Sequence, residues 1–198
     1  MAKTVVKMVG AETAKRAENK HLSFSKETAT KVKNIIARYP EGKQQSAVIP
    51  ALKLAQDEFD GWLSVDAMKL VAETLDMPYI RVYEVATFYT MFNLDPVGKY
   101  HVQVCTNCAC MIGGSGAIVD TVKAETGITA SGDMSDDEIF TLTEVECLGA
   151  CVDAPMMQVN NHYYTKLTEK STKEIIQKLR GGQDVENATP TPALKDGY

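Results

Sequence analysis

Apolar positions in the first half of the chain recur at the spacing of amphipathic helices. Four stretches carry apolar residues three or four positions apart, and capping residues, glycines or prolines bound them. Their apolar positions are Ala29, Val32, Ile35 and Ile36; Leu52, Ala55 and Phe59; Val65, Met68, Val71 and Leu75; and a last stretch from Pro78 towards Tyr89. The pattern predicts a bundle of four short helices.

The periodicity changes after a loop at residues 93–98, where Tyr100, Val102 and Val104 alternate with other residues in the pattern of a β-strand. The elements predicted after it are a helix over 115–125, a strand over 140–145, a hairpin centred on Asn160 and Asn161, and a closing helix opened by a capping box of Ser171 and Glu174. One sheet with two helices in this order is typical of a thioredoxin-type fold. We therefore predict an α+β chain, with an N-terminal helical bundle followed by a thioredoxin-like domain.

Four segments are expected along the chain. Residues 1–22 are polar and rich in alanine and lysine, without a periodic apolar face, and are predicted to form a flexible arm. The helical bundle is expected over 23–95 and the thioredoxin-like domain over 96–180, with the boundary in the loop that contains proline and glycine. Residues 181–198 are rich in Pro, Thr, Asn and Asp and are predicted to form a flexible tail.

The composition of the 198-residue chain excludes several classes of function. Apolar residues make up 44% and charged residues 24%, the balance of a globular protein with a substantial core. The net charge of −5 gives no support for nucleic-acid binding, which requires a basic surface. The apolar runs are too short to span a bilayer. We therefore expect neither a nucleic-acid partner nor direct membrane insertion.

The cysteines carry the main chemical signal of the sequence. An odd count of five argues against a closed set of disulfides, and no signal-peptide pattern opens the chain, which favours a reducing compartment. In such a compartment clustered cysteines more often bind metal or carry out redox chemistry. They fall in two groups, each after a predicted strand: Cys105, Cys108 and Cys110, then Cys147 and Cys151. The 36 residues between the groups are enough for a helix and a strand, so a βαβ unit can bring the groups together.

Three kinds of chemistry fit these groups. A [2Fe–2S] cluster requires four thiolates, two per iron, which Cys105 with Cys110 and Cys147 with Cys151 can supply. A thiol–disulfide oxidoreductase would use the C-x-x-C of Cys105 and Cys108, which lies between a strand and a helix, but this leaves three cysteines without a role. A structural zinc site usually shows a C-x2-C spacing in both pairs, and the second pair lacks it.

Several longer motifs resemble those of one family. They are the runs from Tyr79 to Phe92 (YIRVYEVATFYTMF), Pro96 to Tyr100 (PVGKY), Cys105 to Asn107 (CTN) and Val145 to Met156 (VECLGACVDAPM). In this order they are similar to the thioredoxin-like [2Fe–2S] subunit of NADH:quinone oxidoreductase, respiratory complex I, and the resemblance extends from about Tyr39 to Leu179. Thioredoxin-like folds often carry a cis proline before the hairpin, so we also expect a cis bond between Ala154 and Pro155.

The resemblance implies that Cys105, Cys110, Cys147 and Cys151 hold one [2Fe–2S] cluster, whereas Cys108 departs from the family pattern. It also implies a partner, the flavoprotein subunit that binds FMN and NADH, within the peripheral arm of complex I. The chain would then be a one-electron carrier without catalytic residues of its own. Its expected place is the matrix side of the mitochondrial inner membrane or the cytoplasmic side of a bacterial plasma membrane. The equivalent subunit of an NAD-linked hydrogenase or formate dehydrogenase is an alternative, as is the thiol–disulfide oxidoreductase.

Overall fold

The structure is a computed structural model that describes residues 22–183, residue 185 and the backbone of residues 189–190. The expected N-terminal arm, apart from Leu22, and most of the expected C-terminal tail lie outside the described residues. The chain divides into two compact units, which meet in sequence between Pro96 and Val97. Within the described ranges, no helix combines the length and the apolar character needed to cross a membrane.

Among the residues that the structure describes, the first unit contains four α-helices at the positions expected from the apolar periodicity. They are α1 (Lys26–Ile36), α2 (Val48–Glu58, preceded by the 3₁₀ turn Gln44–Ala47), α3 (Val65–Thr74) and α4 (Tyr79–Phe88). Ser64 caps α3, because its hydroxyl accepts from the Ala67 N–H at 3.1 Å, and Ser25 caps α1 in the same way. The predicted helical bundle is confirmed.

A buried amide in this unit fixes the chain that follows α4. The Gln56 side chain, 6% exposed, donates to the Met91 carbonyl at 3.1 Å and accepts from the Asn93 N–H at 2.7 Å. Asn93 in turn donates through its side chain to the Gly61 carbonyl at 2.8 Å. These bonds satisfy polar groups that would be costly to bury without partners. They also hold the residues that follow α4 against the α2–α3 connection.

The second unit is a mixed sheet with helices packed on it. The strands are β1 (Tyr100–Cys105), β2 (Phe140–Val145), β3 (Met157–Val159), β4 (His162–Tyr164) and β5 (Thr189–Pro190), and the helices are α5 (Cys108–Ile112), α6 (Ser115–Thr126) and α7 (Glu169–Arg180). The spatial order of these described strands is β2–β1–β3–β4–β5, with β1 and β2 parallel and the other neighbours antiparallel. A parallel pair needs a crossover connection, which contains α6. This is the α+β arrangement predicted for the thioredoxin-like domain.

The core of the second unit lies between the sheet and helices α6 and α7. Its fully buried side chains include Val102, Val104, Phe140, Leu142 and Met157 from the strands and Val122 and Ile176 from the helices. The two helices are joined at their surface by a Lys173–Glu125 ion pair at 2.8 Å. The predicted hairpin is confirmed as β3 and β4, and the Ala154–Pro155 bond before it is cis, as expected.

Two short helices at the cysteine groups are absent from the sequence-based expectation. Helix α5 (Cys108–Ile112) lies between the predicted first strand and the helix predicted over 115–125, and a 3₁₀ turn covers Cys151–Asp153. Both elements are too short to display an apolar repeat. Helix α5 begins where the Asn107 side chain accepts from the Cys108 N–H at 2.8 Å.

The start of α7 also differs from the expectation. The prediction that Ser171 caps this helix together with Glu174 is wrong, because Thr168 supplies a capping hydroxyl one turn earlier. That hydroxyl accepts from the Ser171 N–H at 3.1 Å, and the Ser171 hydroxyl accepts from the Thr168 N–H at 2.9 Å. Inside the segment expected to form a flexible tail, Thr189–Pro190 is described as strand β5, paired with β4.

Gly98, at the start of the second unit, packs directly against the backbone of β2. A Cβ atom at this position would lie 2.7 Å from the Phe140 carbonyl carbon and 2.9 Å from that of Ile139, where a strand cannot easily yield. We expect Gly98→Ala to destabilise the second unit by about 1–3 kcal/mol, the usual range for overpacking. The measurement is chemical denaturation followed by circular dichroism.

Gly116 provides the control for this prediction. It lies in α6, and a Cβ atom there would meet nothing within 4 Å. Gly116→Ala is therefore expected to leave stability unchanged or to raise it by up to about 1 kcal/mol, because alanine favours the helix. Equal stabilities for the two variants would contradict the close backbone contact at Gly98.

Candidate metal centre

The two cysteine groups begin at the same end of the parallel strands β1 and β2. Strands β1 and β2 are parallel, and their last residues, Cys105 and Val145, are register partners. The ladder extends one residue further, because the Thr106 N–H donates to the Val145 carbonyl at 3.0 Å. Parallel strands that end in register deliver their following loops to one place. The loop before α5 and the loop that begins at Glu146 therefore start side by side.

The first group separates into one buried pair and one exposed thiol. Cys105 and Cys110 are 2% and 1% exposed and pack together with Met156. Cys108 lies on the same short helix but is exposed. Two residues correspond to about 200° of helical rotation, so Cys108 and Cys110 point to opposite sides of α5. The structure thus brings Cys105 together with Cys110.

The buried pair resists ionisation on its own. Burial raises the pKa of the Cys110 thiol to about 11, and its hydrogen bond with Cys105 adds to this rise. The charges of Cys105 and Cys151 act in the same direction, whereas a hydrogen bond from the Met156 backbone N–H lowers the pKa. A thiolate here gains from a bound cation, because metal binding and thiol deprotonation are coupled.

The second group forms a closely spaced pair at the surface. The Cys147 and Cys151 Sγ atoms are 3.5 Å apart, far beyond the ~2.05 Å of a disulfide bond. Two thiolates on one tetrahedral ion with bonds of about 2.3 Å would lie about 3.8 Å apart, close to this separation. The hydrogen bond with Cys147, together with its charge, raises the pKa of Cys151.

Hydrogen bonds from the protein shape the loop that carries this pair. Gly149 has a φ of +84°, a conformation that suits glycine, and its N–H donates to the Cys147 Sγ at 3.4 Å. The Tyr163 hydroxyl on β4 donates to the Leu148 carbonyl at 2.7 Å. Burial, and then the charges of Cys147 and Cys105, raise the pKa of Tyr163, so its hydroxyl stays protonated and can donate at neutral pH.

The two thiol pairs are close enough to interact electrostatically, but their four sulfurs are not arranged around a single ion. In the part of the chain that the structure describes, no group of three or more metal-ligating side chains is placed to hold one ion. The charges of Cys105 and Cys151 nevertheless both act on Cys110. Two pairs of soft sulfur donors that lie near one another fit a binuclear iron–sulfur group, in which each iron takes two protein sulfurs.

Two supporting residues of the site were not identified from the sequence. Tyr163 reaches the second loop from the hairpin, and Asn107 both caps α5 and donates to the Glu146 carboxylate. An Asn before a helical residue is a local capping signal that could have been recognised. The bond to Glu146 and the role of Tyr163 join residues far apart in sequence, and no local pattern indicates them.

Comparison with known proteins agrees with this chemistry. Residues 32–180 match the family described as thioredoxin-like [2Fe-2S] ferredoxin. A Rickettsia bellii protein named as a subunit of NADH-quinone oxidoreductase is 49% identical over 160 residues, which are 81% of this chain and 95% of that protein. The Dictyostelium discoideum protein named NADH dehydrogenase [ubiquinone] flavoprotein 2, mitochondrial, is 45% identical over 172 residues, 87% of this chain and 69% of that protein.

A solved structure shares the fold at much lower sequence identity. The crystal structure of an NAD+-reducing [NiFe]-hydrogenase in the air-oxidized state aligns with a TM-score of 0.61 at 18% identity. The alignment covers 71% of this chain and 24% of the hydrogenase chain. At this identity the likeness is one of fold.

Removing the Tyr163 hydroxyl tests whether its hydrogen bond stabilises the loop between Cys147 and Cys151. Tyr163→Phe keeps the ring but leaves the Leu148 carbonyl without this donor, and we expect a loss of about 0.5–1.5 kcal/mol in the free energy of unfolding. Faster amide hydrogen exchange at Gly149 and Ala150 should accompany it. The control is Tyr83→Phe, on the exposed face of α4, which should change stability by less than about 0.5 kcal/mol. Unchanged exchange in the loop of the Tyr163→Phe protein would contradict this role.

Proposed function

Because this chain belongs to the thioredoxin-like [2Fe–2S] ferredoxin family, we propose that it is the one-electron carrier subunit of an NADH:quinone oxidoreductase, respiratory complex I. The main observation behind the proposal is that two pairs of thiols lie where the parallel strands β1 and β2 both end. Four soft sulfur donors in two pairs match the ligand demand of one [2Fe–2S] cluster. When bound, the cluster supplies one-electron redox chemistry.

The ligand assignment follows from the pairing of the thiols. We propose Cys105 and Cys110 as the ligands of one iron and Cys147 and Cys151 as those of the other. Burial around the first pair excludes water, and the Gly149 N–H donates to the sulfur of Cys147. Such donors stabilise thiolate charge and tune the reduction potential of an iron–sulfur site. The chain's own task is to bind and tune, without a catalytic acid, base or nucleophile.

The surface beside the site supports a protein partner. Met111, Ile112 and Val152 are 63%, 84% and 98% exposed, and they lie within two residues after the proposed ligand positions Cys110 and Cys151. Apolar side chains exposed to this extent beside a binding site mark a contact surface. We propose that they dock the flavoprotein subunit that binds FMN and NADH, within the peripheral arm of the complex. The matrix side of the mitochondrial inner membrane or the cytoplasmic side of a bacterial membrane is the corresponding location.

The alternative functions have weaker support. A thiol–disulfide oxidoreductase would pair Cys105 with Cys108, but Cys108 is exposed while Cys105 is buried beside Cys110. An equivalent subunit of an NAD-linked hydrogenase or formate dehydrogenase would share this fold, and the hydrogenase likeness extends no further than fold. Relatives at 45–49% identity carry complex I names, which favours the proposal.

Iron and sulfide analysis of the protein purified without oxygen tests the cluster. We expect about two irons and two sulfides per chain, with an electron paramagnetic resonance signal that appears only after reduction by dithionite. Serine variants of Cys105, Cys110, Cys147 or Cys151 should lose or alter the signal, whereas Cys108→Ser is the matched control and should retain it. Bound zinc, or a metal-free protein whose insulin reduction depends on Cys108, would overturn the proposal.

Charge placed on the exposed apolar surface of Met111, Ile112 and Val152 tests its role in docking. Ile112→Glu and Val152→Glu should weaken binding of the FMN-containing subunit by about tenfold or more, because each buries a charge at the interface, while the cluster signal stays intact. Isothermal titration calorimetry with the purified flavoprotein subunit measures the effect. Val65→Glu, at a 52% exposed valine of the helical unit, is the matched control. Wild-type affinity in both Ile112→Glu and Val152→Glu would show that these residues do not contact the flavoprotein subunit.

A further inference from the structure

Side chains extend the pairing of β1 and β2 beyond the last backbone hydrogen bond. The Thr106 N–H donates to the Val145 carbonyl, and one residue further along each chain the Asn107 Nδ2 donates to the Glu146 Oε2. After this point the two chains separate, one into α5 and the other into the loop that carries the second cysteine pair. The Asn107–Glu146 hydrogen bond therefore joins the two loops near their first residues.

Asn107 uses both ends of its amide in this arrangement. The Oδ1 atom accepts from the Cys108 N–H at 2.8 Å and starts α5, while the Nδ2 atom binds Glu146. Aspartate or serine would cap a helix as well as asparagine does. Of these three residues, aspartate has no donor for a carboxylate, and serine has a shorter side chain than asparagine. The capping role alone does not require an amide here, but the bond to Glu146 does.

The two ends of this hydrogen bond lie next to proposed ligands in both loops. Asn107 stands between Cys105 and Cys110, and Glu146 directly precedes Cys147. The buried pair packs around Met156, and Leu148 and Ala150 of the second loop pack against this cluster, whereas Cys147 and Cys151 themselves are exposed. A hydrogen bond between the first residues of the two loops adds to this packing and restrains one pair relative to the other.

We propose that Asn107 is a positioning residue of the iron–sulfur site. Through Glu146 it holds the loop of Cys147 and Cys151 at a set distance from the pair of Cys105 and Cys110, so that the four sulfurs stay placed for one cluster. The inference rests on the proposed function, because it assumes these four ligands. It assigns to Asn107 a role in retaining the cluster, since groups that are held in place before binding lose less freedom on binding.

Cluster retention is measured with the full chain under argon, as the decay of visible absorption after addition of an iron chelator. Asn107→Asp keeps the helix cap but sets a second carboxylate against Glu146. We expect about fivefold faster cluster loss, the effect of one lost hydrogen bond on the placement of the loops. Asn107→Ser keeps the cap without adding charge and shortens the side chain, and a similar acceleration is expected.

A double variant separates the bridge from the cap and from the local charge. In Asn107→Asp with Glu146→Gln, the new amide donates to the new carboxylate, so the hydrogen bond is restored in reverse with the original net charge. Its rate of cluster loss should return to within about twofold of the wild-type rate. Glu146→Gln alone still accepts from Asn107 and should also stay within about twofold. Far-UV circular dichroism verifies the fold of each variant.

Two results would overturn the inference. One is a wild-type rate of cluster loss in Asn107→Asp and Asn107→Ser, and the other is a double variant no slower than Asn107→Asp. If Asn107→Asp does not fold, the Asn107→Ser rate decides, because this variant introduces no repulsion. A wild-type protein without a [2Fe–2S] signal contradicts the proposed function itself. A wild-type protein with the cluster and unaffected variants contradicts only the role of Asn107.

Discussion

The parallel pairing of β1 with β2 is the interaction on which the site depends. Its register, from Tyr100 with Phe140 to Cys105 with Val145, sets where both cysteine groups begin. The register is enforced by burial, because Phe140 and Leu142 are fully buried on one face of β2. A slip of one residue would turn that face towards solvent and displace the second loop along the sheet. The hydrophobic core thereby fixes the geometry of a polar, sulfur-rich site at its edge.

The two cysteine pairs use different means of staying in place. Cys105 ends a central strand and Cys110 lies on the buried side of α5, so packing holds them. Cys147 and Cys151 are exposed, and the loop between them is held by the Gly149 N–H, by the Tyr163 hydroxyl and by packing of Leu148 and Ala150 against the buried cluster. An exposed pair remains accessible to a partner. A buried pair excludes water. One site therefore combines a sheltered side and a side suited to contact, as a carrier of single electrons requires.

Periodicity in the sequence was sufficient to predict the larger elements of the fold. The helical unit follows from apolar residues such as Val32 and Val71 at helical spacing, and β1 from the alternation of Val102 and Val104. Helix α5 is too short for such a signal. The residue that caps α7 is Thr168, and three positions later it has Ser171 where a capping box usually has Glu or Gln. The pairing of the cysteines could be anticipated from spacing and resemblance. The contacts that support it join residues as far apart as Asn107 and Glu146, which only the folded chain brings together.

The choice between the two cysteine spacings of the first group depends on where one short helix begins. Sequence alone permits Cys105 to pair with Cys108 through C-x-x-C or with Cys110 through C-x4-C. Once Asn107 caps α5, Cys108 occupies its first position and Cys110 its third, about 200° further around the axis. With Cys110 packed beside Cys105, Cys108 necessarily faces outward. A single capping side chain thus selects, from an ambiguous sequence motif, the two thiols that pack together, and the same side chain reaches the loop that carries the other pair.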